Sequence, residues 1–304
     1  MNAEFKPGPG AGDGIAAARA IDELEAQAER HRTPCGDGVH MVWRRWGHGA
    51  PVVLLHGGAG SWLHWVRNIA SLATHRSVWV PDLPGFGDSD LPPGAHDADT
   101  LSPMVLAGMQ TLLDDEPYDL VGFSFGALVA SCVAAQQPPA LRALMLVSVA
   151  ALGIVGSPPA LKPMRGVEDP AARRDVVRWN LHQMMLHDPK HVDDLAILVQ
   201  QRSAPRDRVK HRTLALGDAL FALAAEWRCK VSGIWGTQDV LYRDQMPALR
   251  AAADRLNMAD TTFLEGAGHW LQYECAEAFN AWLAERIDAA GRGATSRRSG
   301  GGHA

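Results

Sequence analysis

The segment YDLVGFSFGALVASCVAAQ, Tyr118 to Gln136, changes period in its middle. Tyr118 to Val121 is a short continuous apolar run, as expected of a strand buried on both faces, and Ala127 to Gln136 is a small-residue helix stopped by Pro138 and Pro139. Ser124 therefore falls at a strand-to-helix corner, inside Gly122-Phe123-Ser124-Phe125-Gly126. A corner this sharp strains the backbone and lifts a hydroxyl clear of the sheet, and glycines two places either side avoid collision with the neighbouring strand and helix. In a chain of 304 residues with 30 glycines the pentapeptide alone is weak. Its position between strand and helix gives it weight as a nucleophile site.

A serine hydroxyl needs a base to take its proton and a carboxylate to orient that base. Lys230 to Trp235 is expected to be a strand, and Asp239 lies on the loop that leaves it. Thr261 to Leu264 forms another, followed by Gly266-Ala267-Gly268-His269-Trp270. The order Ser124, Asp239, His269, each after its own strand, brings three loops to one edge of a parallel sheet. Asp244 is the spare carboxylate. Donors for a developing oxyanion are expected from the Phe125 amide, at a helix start, and from the Gly58 amide in His56-Gly57-Gly58-Ala59-Gly60, which follows the strand Pro51 to Leu55. That glycine run is no phosphate loop, because neither Lys-Ser nor Lys-Thr follows it. His56 is read as a loop-fixing histidine.

These residues resemble the α/β-hydrolase superfamily, from about Val39 to about Ile287. Asp82-Leu83-Pro84-Gly85-Phe86-Gly87-Asp88-Ser89 is similar to that family's D-x-P-G-x-G-x-S loop. Gly268-His269-Trp270-Leu271-Gln272-Tyr273-Glu274 resembles the meta-cleavage product hydrolases, which cut a carbon-carbon bond of ring-opened dienoates. The chain departs from that subgroup at the elbow, with Phe123, Phe125 and Ala127 where it has Asn, Met and Gly. The resemblance implies a doubly wound, mostly parallel sheet with a helical cap insertion. It also implies a serine hydrolase acting on such a dienoate or on a carboxylic ester. A cofactor-free haloperoxidase or perhydrolase and a hydrolase-like small-molecule receptor are the alternatives; dehalogenases and epoxide hydrolases need a carboxylate where Ser124 stands. In the subgroup a cap arginine holds the substrate carboxylate and the tryptophan after the histidine lines the site, which implies these roles for Arg202 and Trp270. Arg202 as a solvated surface arginine is the alternative. Trp62 and Phe123 are further expected pocket residues.

Bulk composition agrees with this. A 47 % hydrophobic chain of this length can bury a large core, and a formal charge of −5 favours neither nucleic acid nor an anionic membrane as partner. Four scattered cysteines, Cys35, Cys132, Cys229 and Cys275, lack metal spacing and read as reduced thiols. No metal or cofactor is expected, and the partner is a small-molecule substrate, with homo-oligomerisation left open. The longest apolar run, Ala143 to Val155, is too short to cross a bilayer, and no secretory signal is visible, so the expectation is a cytoplasmic enzyme. Residues 1–30 form an N-terminal extension with a helix at Ile15 to Arg30. Residues 31–152 and 227–290 form the core, 153–226 a helical cap, and 291–304 a disordered Gly, Ser and Arg rich tail. Further helices are expected at Trp62 to Leu72, Pro103 to Leu113, Arg173 to Met185, His191 to Gln201, Thr213 to Ala225 and Glu274 to Ile287.

Overall fold

The computed structural model describes residues 12–154, 156 and 159–298. Among them, eight strands form one sheet: β1 (Glu29–Gly36), β2 (Val39–Trp46), β3 (Pro51–Leu55), β4 (Ser77–Pro81), β5 (Tyr118–Phe123), β6 (Leu141–Val147), β7 (Lys230–Gly236) and β8 (Asp260–Leu264). Their spatial order is β1-β2-β4-β3-β5-β6-β7-β8, and only β2 runs against its neighbours. The chain leaves β3 toward β4 on one side and returns to β5 on the other. That reversal opens a crevice at the carboxyl ends of β3 and β5, where Leu55 pairs with Gly122.

The apolar runs are continuous because helices cover both faces of the sheet. Val53, Leu55, Leu120, Leu144 and Leu146 pack on one side with α3 (Ala98–Leu113), α4 (Phe125–Ala135), α7 (Ala219–Glu226) and α8 (Met246–Arg255). Val52, Leu54, Val121, Met145 and Val147 pack on the other with α1 (Gly12–Ala26), α2 (Ile69–Ala73), α6 (Asp194–Ser203) and α10 (Ala276–Arg298). This is the period-2 split of a strand buried twice. α5 (Pro170–Met184), α6 and α7 lie in the segment between β6 and β7, and α9 (Leu271–Glu274) is a single turn before α10.

Several expected boundaries move, each for a physical reason. Helix α1 stops at Ala26, and the Glu29 and Arg30 expected to continue it begin β1, whose pairing with β2 overrides their helical preference. Trp62 to Leu72 is not one helix: Trp62–Trp65 is a 3-10 turn with all four side chains buried, and α2 starts only at Ile69. Between them the Asn68 amide is drawn away to Gln272 O (2.9 Å) and Asn280 Oδ1 (2.8 Å). Helix α3 begins five residues before Pro103, because Asp97 and Thr100 form a capping box, and the Ser102 hydroxyl donates to the Asp99 carbonyl that Pro103 cannot serve (3.1 Å). Extended backbone at Gly217 splits Thr213 to Ala225 into a 3-10 turn, Leu214–Leu216, and α7. Helix α10 runs to Arg298, through the start of the stretch expected to be a loose tail; residues 299–304, like 1–11 at the other end, lie outside the described residues. Among the described residues no helix is long and apolar enough to cross a membrane.

The sheet and α4 meet at backbone distance. A Cβ on Gly126 would lie 2.3 Å from the His56 carbonyl oxygen, and one on Gly122 would lie 2.4 Å from the Ala127 Cα. Neither atom can swing aside as a side-chain tip would. We expect Gly126→Ala to destabilise the protein by about 3 kcal/mol or more. The matching control, Gly217→Ala, has no atom nearer than 3.9 Å and should leave the thermal midpoint nearly unchanged. Equal melting temperatures for the two variants would contradict this account of the corner.

Candidate active site

At the corner between β5 and α4, Ser124 has φ 52° and ψ −115°, a left-handed conformation that costs a non-glycine residue about 1–3 kcal/mol. Surrounding contacts impose it: the Ser124 amide donates to Val147 O of β6 (2.8 Å), and Gly122 and Gly126 let α4 pass close beneath. The side chain is thereby left half-buried at the floor of a cavity of about 880 Å³.

The loops after β7 and β8 meet it there. His269 Nε2 lies 2.9 Å from Ser124 Oγ, and its Nδ1 lies 2.8 Å from Asp239 Oδ2. A carboxylate can only accept, so the neutral ring carries its proton on Nδ1, and Nε2 is left to accept from the serine. Asp239 is fully buried, and its other oxygen accepts from the Leu241 amide (3.0 Å). Asp244, the spare carboxylate, lies in the 3-10 turn Arg243–Gln245 and takes no part in this chain of bonds.

A carboxylate that the sequence reading left without a role holds the histidine loop in place. Glu274, buried on α9, accepts from Gly268 N (2.7 Å), His187 N (3.2 Å) and Asp188 N (2.6 Å), while Trp270 N donates to Met185 O (2.7 Å). The segment after α5 is thus tied to the His269 loop. Its sequence signal was an acid five residues beyond the histidine.

Gly58 and Phe125 both line the cavity beside Ser124. Among the described residues neither backbone amide has a hydrogen-bond acceptor, as a site for an incoming oxygen requires. Two buried imidazoles shape the glycine loop. His56 Nδ1 donates to Gly57 O (2.8 Å) and its Nε2 accepts from Leu83 N (2.9 Å), which matches a loop-fixing histidine. His64 Nδ1 accepts from Gly57 N (3.2 Å), with the ring enclosed by Phe123 and Trp270. Burial lowers the pKa of His56, and burial with the neighbouring imidazoles holds His64 well below the ordinary histidine value.

The cavity wall is mostly apolar, with Phe123, Phe125, Ile154, Leu181, Met184, Met185 and Leu241. Three expected pocket residues lie elsewhere. Trp270 is fully buried behind the histidine, stacked on Tyr273 at 4.2 Å and donating from Nε1 to His64 O. Trp62 is buried and lines a separate cleft, where the Arg44 guanidinium lies 5.0 Å from its ring. Arg202 pairs with Asp22 of α1 (3.1 Å) and faces the same cleft. The arginine in the cavity is Arg212, ten residues on, in the irregular stretch before Leu214. No periodicity marks that stretch, so sequence reasoning missed it.

The fold has counterparts among known proteins. The model of the alpha/beta hydrolase family matches residues 52–282, and the chain belongs to that family. It is 32 % identical over 154 residues to a 2-hydroxy-6-oxo-2,4-heptadienoate hydrolase of Pseudomonas putida, covering 47 % of this chain and little more than half, 56 %, of that relative. It is 28 % identical to a 2-hydroxymuconate semialdehyde hydrolase of Pseudomonas sp. strain CF600, over 82 % of this chain and 91 % of the relative. Among solved structures, an esterase from Rhodococcus sp. ECU1013 superposes with a TM-score of 0.70 at 23 % identity, over 87 % of this chain and 99 % of that one.

Because His56 and His64 are held neutral by burial, the unfolded chain binds protons below its histidine pKa of about 6.5 that the folded chain refuses. The stability from this source is present above about pH 6.5 and is lost as pH falls toward the lowered folded values. Protonation of His64 would also remove the acceptor for Gly57 N. We expect the thermal midpoint to fall between pH 7 and pH 5, and His64→Asn, which keeps a neutral acceptor, to fall less steeply. Parallel melting curves for wild type and variant would contradict this.

Proposed function

We propose that the protein is a serine hydrolase in which Ser124, His269 and Asp239 act as a triad on a small, partly apolar carbonyl substrate. The observation that carries this is His269, bonded through one nitrogen to a buried carboxylate and through the other to a strained, half-buried serine. His269 Nε2 takes the hydroxyl proton as Ser124 Oγ bonds to the carbonyl carbon and the carbonyl electron pair moves onto its oxygen. The Gly58 and Phe125 amides hold that oxygen, at the start of a helix whose dipole favours negative charge. As the intermediate collapses, His269 gives the proton to the departing group. Water then repeats the sequence on the acyl-enzyme and frees the acid.

The residues between β6 and β7 serve as a cap. Leu181, Met184 and Met185 come from this segment and roof the serine, which supports water exclusion over the reacting bond and an apolar acyl or leaving-group pocket. A carboxylic ester needs no more than this. Hydrolysis of a dienoate carbon-carbon bond is the second reading, favoured by the activities for which the two Pseudomonas relatives are named. In that case the departing carbanion is delocalised into the dienoate. Either reaction is consistent with the same first step.

Ser124→Ala should abolish turnover of p-nitrophenyl acetate and of ring-opened dienoates. Asp239→Asn, which leaves the imidazole in the wrong tautomer, should lower kcat by about 10⁴-fold. Arg202→Ala should stay within about twofold of wild type, since the side chain is engaged with Asp22 outside the cavity. Steady-state kinetics on purified protein check all three; wild-type turnover by Ser124→Ala would overturn the reading. The ratio of ester to dienoate turnover assigns the substrate class.

A further inference from the structure

We propose that Arg212 is a catalytic residue, a third and cationic donor to the oxyanion alongside the two backbone amides. This rests on the reading of Ser124 as nucleophile. The guanidinium lies between the two segments that carry those amides. On one side a Cβ at Gly58 would lie 2.7 Å from Nη1, and on the other Cζ is 5.3 Å from the centroid of the Phe125 ring, with Phe86 at 5.6 Å. Arg212 lines the same cavity as Ser124 and His269.

Its hydrogen bonds are divided unequally. Nη2 donates to Asp207 Oδ2 (2.9 Å), whereas Nη1 is buried and has no partner among the described residues. Leaving a charged donor buried and unserved costs more than leaving a neutral one, so the arrangement is fitted to an acceptor that arrives with the substrate. Asp207 is itself buried, and the same Oδ2 accepts from Ala59 N (3.0 Å), the residue after Gly58. One carboxylate oxygen therefore sets the guanidinium and the glycine loop in register. Preorganisation of this kind lets a donor act on charge that develops in the transition state without reorganising. The donor also belongs to the segment between β6 and β7, so completing the oxyanion site requires that segment to be seated.

A carboxylate anchor would use the same arginine differently, and kinetics separate the two roles. Wild type, Arg212→Met, Gly58→Ala and Ser124→Ala are compared on p-nitrophenyl acetate and on mono-p-nitrophenyl glutarate, with phenylboronic acid as the tetrahedral oxyanion mimic. As an oxyanion donor, Arg212→Met lowers kcat about 100-fold on both esters, keeps KM within about threefold, and weakens boronate binding in parallel with kcat. Gly58→Ala, whose methyl pushes the guanidinium aside while keeping every polar group, moves kcat the same way and decides the matter if Arg212→Met does not fold. Unchanged kcat on the neutral ester with a raised KM for the anionic one would overturn the proposal in favour of an anchor. Unchanged kinetics on both would overturn it outright. Turnover by Ser124→Ala would instead remove the reading beneath it.

Discussion

The contact on which the rest depends is backbone against backbone, where the first turn of α4 presses on the end of β3. Gly126 sits under the Leu55 and His56 carbonyls with no room for a methyl group, and Gly122 sits equally close to Ala127. This approach is possible only if the chain turns sharply between β5 and α4, which puts Ser124 at φ 52°. The strain is local, and the buried helix and two hydrophobic layers outweigh it. The serine hydroxyl, the Phe125 amide and the start of the α4 dipole are consequences of that single turn.

The second constraint is topological. Reversal of strand order at β3 and β5 opens the crevice, and the loops after β3, β5, β7 and β8 all end at its rim. Carboxylates that accept backbone amides then fix three of these loops, two of them against the segment between β6 and β7. Asp239 takes Leu241 N, Glu274 takes three amides across the histidine loop, and Asp207 takes Ala59 N from the glycine loop. Buried acceptors of this kind fix loops that apolar packing alone would leave loose.

The parts legible in the sequence were those that local rules dictate. A glycine needed for close approach, a strand buried on both faces and the order Ser124, Asp239, His269 each leave a mark within a few residues. The parts that were not legible depend on packing across the chain. Trp270 follows the histidine directly, yet its ring turns inward onto Tyr273, because the peptide before α9 is fixed by Met185 and Glu274. Arg202 lies on a regular helix near the expected place, but α6 presents it to Asp22 of α1, a contact that no local pattern announces. Arg212 was overlooked because it sits in a stretch without periodicity, where only the fold shows which way a side chain points. The same limit hid β1, whose first residues have helical composition but find a partner in β2.

The central claim is that Ser124, activated by His269 under the orientation of Asp239, is the nucleophile. Intact-mass and peptide mass spectrometry after treatment with a fluorophosphonate measures this most directly. The account predicts one phosphonyl adduct per chain, carried by the peptide containing Ser124, and loss of the adduct when His269 is replaced by alanine. An unlabelled protein, or an adduct on any other residue, would contradict it.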